Sequence, residues 1–182
     1  MSTRPEIDRR AEETRQRIGA AFLRLGGIKA LSSIGVGQLA REAGIARSTF
    51  YAHYSGLDDY LARGFADMLT ALAGRGDDDR LLPVAAVLDH ILAAGPAAQE
   101  LARSRHFPRM LIEGERALRR FVEHRLERRL PHQNSADRKT AALLLSAGFL
   151  ALLRDWMSDA RGRPIQMLDQ RVGGMEGLLV PA

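Results

Sequence analysis

The residues whose types and spacing could do chemistry lie close together in this 182-residue chain, in Gln38-Leu39-Ala40-Arg41-Glu42-Ala43-Gly44-Ile45-Ala46-Arg47-Ser48-Thr49-Phe50-Tyr51-Ala52-His53-Tyr54. Arg47, Ser48, Thr49, Tyr51 and His53 offer hydrogen-bond donors, so the chemistry they suit is recognition of a surface rich in acceptors. Two short helices meeting near a right angle need a small residue on the inner face of the first, a glycine that can take positive φ, and a β-branched plug after it. Ala40, Gly44 and Ile45 stand in that order, and Leu39 and Phe50 are spaced to pack between the helices. A helix bearing such donors fits a DNA major groove about 12 Å wide, with its first residues at base edges and the others at phosphate.

Catalytic patterns are missing from the sequence. It has no cysteine, which excludes disulfides, thiolate metal sites and a thiol nucleophile. It also lacks a Gly-x-x-x-x-Gly-Lys loop, a Gly-x-Ser-x-Gly elbow and a His-Glu-x-x-His pair. His90, His106, His124 and His132 stand apart, without carboxylates at ligand spacing. Asp77-Asp78-Asp79 reads as an acidic turn and not as a cation site. The chain is therefore expected to be no enzyme and to need no metal or cofactor.

Positive charge fits a nucleic-acid partner. The formal net charge is +5, and through Leu57 nine cations stand against five acids, a balance of +4. Only Lys29 and Lys139 are lysines. Arginine is the better bidentate phosphate ligand, although a bias in genomic base composition produces the same preference. The charged first twenty residues lack the apolar stretch of a secretion signal. The apolar run Ala141 to Leu153 is interrupted by Ser146 and Gly148 and is shorter than the ~20 residues that cross a bilayer. A cytoplasmic protein with no membrane partner is expected.

Stepping outward from the motif, helical periodicity predicts segments over Arg9–Leu25, Val36–Ala43, Arg47–Tyr54, Leu57–Gly74, Pro83–Ala94, Pro96–Arg103, Pro108–Leu130, Ser135–Ser158 and Pro164–Leu178. Asp58 and Asp59 open the fourth where the helix dipole favours negative charge. Residues 131–134 and 161–163 are read as hairpin turns, and 74–79 as a polar, glycine-punctuated linker. No alternating β-branched stretch suggests a sheet. The expected fold class is all-α.

The run from Thr14 through Leu61 resembles the N-terminal domain of TetR-family bacterial transcriptional regulators. The resemblance is carried above all by Leu39-Ala40-Arg41-Glu42-Ala43-Gly44-Ile45 followed by Ser48-Thr49-Phe50-Tyr51-Ala52-His53-Tyr54. It implies about nine helices, a helix-turn-helix DNA-binding domain over 1–56 and a helical effector-binding and dimerisation domain over 57–182. By the same resemblance the recognition helix starts after Ala46. Arg47 and Ser48 approach bases, Thr49, Tyr51 and His53 meet phosphate and nearby bases, and Phe50 and Tyr54 are core. Gly37, Gln38 and Lys29 complete the set expected to face DNA. The implied partners are a double-stranded operator, a second copy of the chain and a small-molecule effector.

Two positions depart from the family pattern. Ile34-Gly35-Val36-Gly37 lacks the usual capping serine or threonine, and Leu57 stands where a lysine is usual. Both remove phosphate contacts, so binding is expected to be weaker or to draw on Arg15, Arg17, Lys29 or Arg41. The competing reading is a helical ligand-binding or protein-interaction module that no longer binds DNA.

In the C-terminal part, the resemblance implies a dimer interface made by the last two helices, with Leu144, Leu145, Gly148, Leu152, Leu168, Val172 and Met175 as its candidates, residues that also read as intramolecular core. The effector pocket implied by the resemblance takes Phe65, Met68, Leu72, Leu88, Phe107, Met110, Leu111, Phe121, Phe149 and Trp156 as its candidates, residues that at helical spacing also read as plain core.

Overall fold

The computed structural model describes residues 4–75, 80–158 and 165–180, with the side chains of residues 4, 5, 7, 32 and 165 left aside. Residues 76–79 of the linker, with Asp77-Asp78-Asp79, and the turn 161–163 lie outside the described residues. Among the described residues the elements are all helical: α1 (Arg4–Gly26), a short 3-10 turn at Leu31–Ser33, α2 (Val36–Glu42), α3 (Arg47–His53), α4 (Leu57–Arg75), α5 (Val84–Ala94), α6 (Pro96–Arg103), α7 (Phe107–Arg129), α8 (Ser135–Ser158) and α9 (Ile165–Leu179).

The chain divides into two compact units, residues 1–60 and 61–182. The division falls inside α4, not at its start and not at the 74–79 linker. Tyr60 explains the first point. Its ring meets Phe22 at 5.4 Å, Tyr54 at 5.2 Å and Phe50 at 6.3 Å between centroids, so the first turn of α4 belongs with the aromatic cluster of the first unit. Burial pushes the Tyr60 phenol well above its usual range, and neighbouring Tyr54 adds to the shift.

In the first unit, Ile18, Ala21 and Leu25 on one face of α1 are buried together with Ile34, Leu39, Ala40, Ala43, Phe50 and Tyr54. The opposite face of α1 is a charged surface where Arg15 donates to Glu12 at 2.7 and 2.9 Å and holds that carboxyl below its ordinary range. The α4 start is fixed by Asp59, which is buried and accepts from the Ser55 amide at 2.9 Å. That is a specific backbone contact in addition to the dipole effect.

In the second unit, α7 and α8 pack along their length around a continuous core that includes Leu118, Val122, Leu126, Leu145, Phe149 and Leu153. Asn134 caps α8 by accepting the Ala136 amide at 2.9 Å. Arg125 is only 9% exposed. Its guanidinium lies 4.7 Å from the Phe121 ring centroid and donates to the carbonyls of Arg80 and Ala73. Arg80 in turn pairs with Asp169 at 3.1 Å and Glu176 at 3.0 Å, and Glu176 accepts the Leu82 amide at 3.1 Å. These bonds tie the chain leading into α5 to α7 and α9.

Among the described residues α8 alone is long and apolar enough to cross a membrane by length and composition. Its Ala142, Leu145, Phe149 and Leu153 are buried in the core of the second unit.

Candidate nucleic-acid interface

The first unit builds one corner from α2 and α3. α2 stops because Gly44 takes φ of +63°, a conformation that costs an L-residue ~1–2 kcal/mol. Its amide bonds Arg41 O at 3.1 Å, and the Ile45 amide reaches back to Ala40 O at 2.9 Å, closing the helix end. Two arginines of α1 brace this turn from outside. Arg17 donates to Gly44 O at 2.6 Å, while Arg24 donates to the Glu42 carboxylate at 2.8 Å and to the Glu42 carbonyl at 3.2 Å.

Of the six residues expected as helix-turn-helix core, Leu39, Ala40, Phe50 and Tyr54 are buried. Ile45 is half-buried, and Gly44 is exposed. Gly44 sits at the outside of the turn and contributes a backbone angle; it is not a packing residue. Phe50 is the one buried residue of α3, and it packs at 5.4 Å from Tyr54.

The outer side of the corner carries the polar set. Arg47, Ser48 and Tyr51 are exposed, whereas Thr49 and His53 are half-buried. Tyr51 is 55% exposed, its ring edge-on to Phe50 at 5.8 Å. On α2, Gly37 and Gln38 are half-buried, and Lys29 stands exposed on the turn that follows α1. The structure brings Gly37 and Arg47 into direct contact: a Cβ built on Gly37 would stand 2.2 Å from an Arg47 guanidinium nitrogen and 2.7 Å from its Cζ.

Neither α2 nor α3 is capped by a side chain. Gly35 precedes the first and Ala46 the second, without a capping hydrogen bond. The missing hydroxyl before α2 was expected from Ile34-Gly35-Val36-Gly37; the one before α3 is an addition, and Ala46 was its signal. Among the four cations weighed as compensation, Arg15 is engaged with Glu12 and Arg17 with Gly44 O. Lys29 and Arg41 are exposed and make no ion pair among the described residues.

The second unit redistributes the residues expected of it. Leu88, Phe149 and Trp156 belong to the buried core, Phe65, Met68, Leu72 and Leu111 pack against it, and Phe107 and Met110 are buried. Phe121 lies beneath Arg125. Two cavities lie elsewhere. One, of about 210 Å³, is lined by Ala73, Arg80, Leu82–Ala86, Arg125 and Asp169; the other, an open groove of about 260 Å³, by Leu111, Ile112, Glu115, Ala147, Leu150, Ala151 and Arg154. Leu111 alone of the expected pocket residues lines either one.

The residues expected at the dimer wall divide between core and surface of this chain. Leu145, Leu168 and Val172 are buried in the core of their own unit, and Leu152 and Met175 pack against it. Gly148 does allow a close approach, but to Met175 of the same chain, whose Sδ would stand 2.7 Å from an added Cβ. Leu144 remains outward at 48% exposure, joined by Leu143 at 42% and by Ala147 and Ala151 on the same helix. α8 is apolar around much of its circumference, so the sequence does not separate its inner face from its outer one.

No protein-family model and no curated protein sequence matches the chain. Among solved structures it is similar to NalD, the secondary repressor of the MexAB-OprM multidrug efflux pump in Pseudomonas aeruginosa. The identity is 21%, the alignment covers 93% of this chain and 94% of that one, and the TM-score is 0.41. At that score the likeness says nothing of function.

Proposed function

We propose that this chain is a TetR-like DNA-binding transcriptional regulator, a repressor that works as a homodimer on an operator in the cytoplasm and is released by a small molecule. The observation that carries the reading is the α2–Gly44–α3 corner. Leu39, Ala40 and Phe50 are turned inward, and Arg47, Ser48 and Tyr51 are turned to solvent, as a groove-reading helix requires. Two such helices in a two-fold dimer read half-sites about 34–36 Å apart. The exposed apolar stripe Leu143, Leu144, Ala147 and Ala151 on α8 is the pairing face proposed for the second copy.

The effector acts by binding better to the dimer whose recognition helices do not match the operator spacing. A coupling of ~1–3 kcal/mol changes operator occupancy about 5–150-fold.

The test is a mobility shift with duplexes from the chain's own promoter region at moderate salt. The parent shifts one of them, and Arg47→Ala and Tyr51→Phe weaken the shift while leaving the fold intact. The uncapped starts of α2 and α3, together with Leu57, favour the second reading, a helical ligand-binding or interaction module without DNA. A parent that shifts no duplex even at low salt selects that reading.

A further inference from the structure

Arg47 differs from the arginines of α1 in what holds it. Arg17 and Arg24 are fixed by hydrogen bonds to the turn they brace. Arg47 makes no hydrogen bond or ion pair among the described residues, yet its guanidinium lies against the Cα of Gly37, with Nε 2.8 Å from the place a Cβ would occupy. It is held by shape, and its donors stay available. A guanidinium carries five N–H donors in a fixed planar fork, and each donor not bonded within the protein can meet an acceptor on a partner.

We infer that Gly37 is a positioning residue for Arg47: the missing side chain in the first turn of α2 forms a seat that pre-orders the guanidinium beside the recognition helix. The inference rests on the DNA-binding reading above, and it gives Gly37 a task other than touching DNA itself. A long arginine loses rotamer freedom when it binds a partner. A seat formed beforehand lowers that cost, which is the usual gain from preorganisation. The far end of Arg47 is flexible, so a methyl group at position 37 displaces the guanidinium without disturbing the fold. Alanine also favours helix more than glycine does. Gly37→Ala should therefore leave thermal stability equal or higher while weakening DNA binding, a combination that a purely structural role for Gly37 does not produce.

The test is a double-mutant cycle on a duplex that the parent shifts. Arg47→Ala is expected to weaken binding about tenfold, Gly37→Ala to weaken it by several-fold, and the double variant to bind like Arg47→Ala alone. Parent-like affinity in Gly37→Ala, or losses that multiply in the double variant, overturns the inference. A readout without DNA separates this failure from failure of the DNA reading. In the free parent, NMR should show a nuclear Overhauser contact between the Gly37 Hα protons and the Arg47 side chain. Its absence there overturns the seat whatever the DNA result. A parent that shows the contact but shifts no duplex removes the DNA reading and with it the task assigned to Arg47.

Discussion

Around Arg125 in the second unit, charge turns inward. The guanidinium covers Phe121 and closes on the carbonyls of Arg80 and Ala73, and Arg80 is clasped between Asp169 and Glu176. At the α2–α3 corner of the first unit the arrangement is layered. Arg17 and Arg24 brace the turn, and Arg41, Arg47 and Lys29 stand exposed without ion pairs among the described residues. The difference teaches that an excess of arginine does not mark a nucleic-acid surface by itself. Exposed arginines without an ion pair among the described residues also stand in the second unit, as Arg120, Arg128 and Arg129 of α7 do, so the distinction lies in which cations brace a turn and which do not.

Removing the most deeply engaged cation should have the largest effect. Arg125→Ala leaves carbonyls in the second unit without their charged donor and is expected to cost about 2–3 kcal/mol, read as a shift in the urea midpoint. A midpoint equal to the parent's would place Arg125 with the idle cations and dissolve the contrast. Gly44→Ala imposes a left-handed angle on an L-residue and crowds Arg17, whose nitrogen would lie 2.9 Å from the new Cβ. It should lose ~1–2 kcal/mol by the same measurement. Arg17→Ala, which removes an exposed donor from the Gly44 carbonyl, should cost about 1 kcal/mol. Arg41→Ala should change stability by less than about 0.5 kcal/mol. If Arg41 faces phosphate, the same variant lowers the slope of log binding constant against log salt by about one. A stability loss in Arg41→Ala as large as in Arg17→Ala would erase the distinction between bracing and presented arginines.

The helices were largely legible because their apolar residues recur at helical spacing, and Ser135–Ser158 has the same bounds in sequence and structure. α1 starts at Arg4 and not at Arg9, since its first turn carries charge and proline instead of an apolar stripe. At the corner, the turn glycine and the inward Leu39 and Phe50 follow from local spacing. The contact between Gly37 and Arg47 does not, because it depends on how two helices cross. Tyr60 was hidden inside a helix most of whose apolar residues belong to the second unit. The second unit's candidate residues were the least legible. Leu88 or Phe149 has the same composition whether it fills a core or lines a cavity, and α8 shows apolar residues on several sides, so the packing of α7 and α9 decides which leucines remain outside.

The single anchor of α3 has a consequence for motion. Seven residues, one buried ring and no capping side chain at Ala46 make this the least tethered helix of the corner, with Phe50 as its pivot. Such a segment should roll by small angles, and its amides should exchange with deuterium sooner than those of α7. Docking on a duplex should slow that exchange, so the clock of amide hydrogens in α3 reports engagement even where affinity is too weak to isolate a complex.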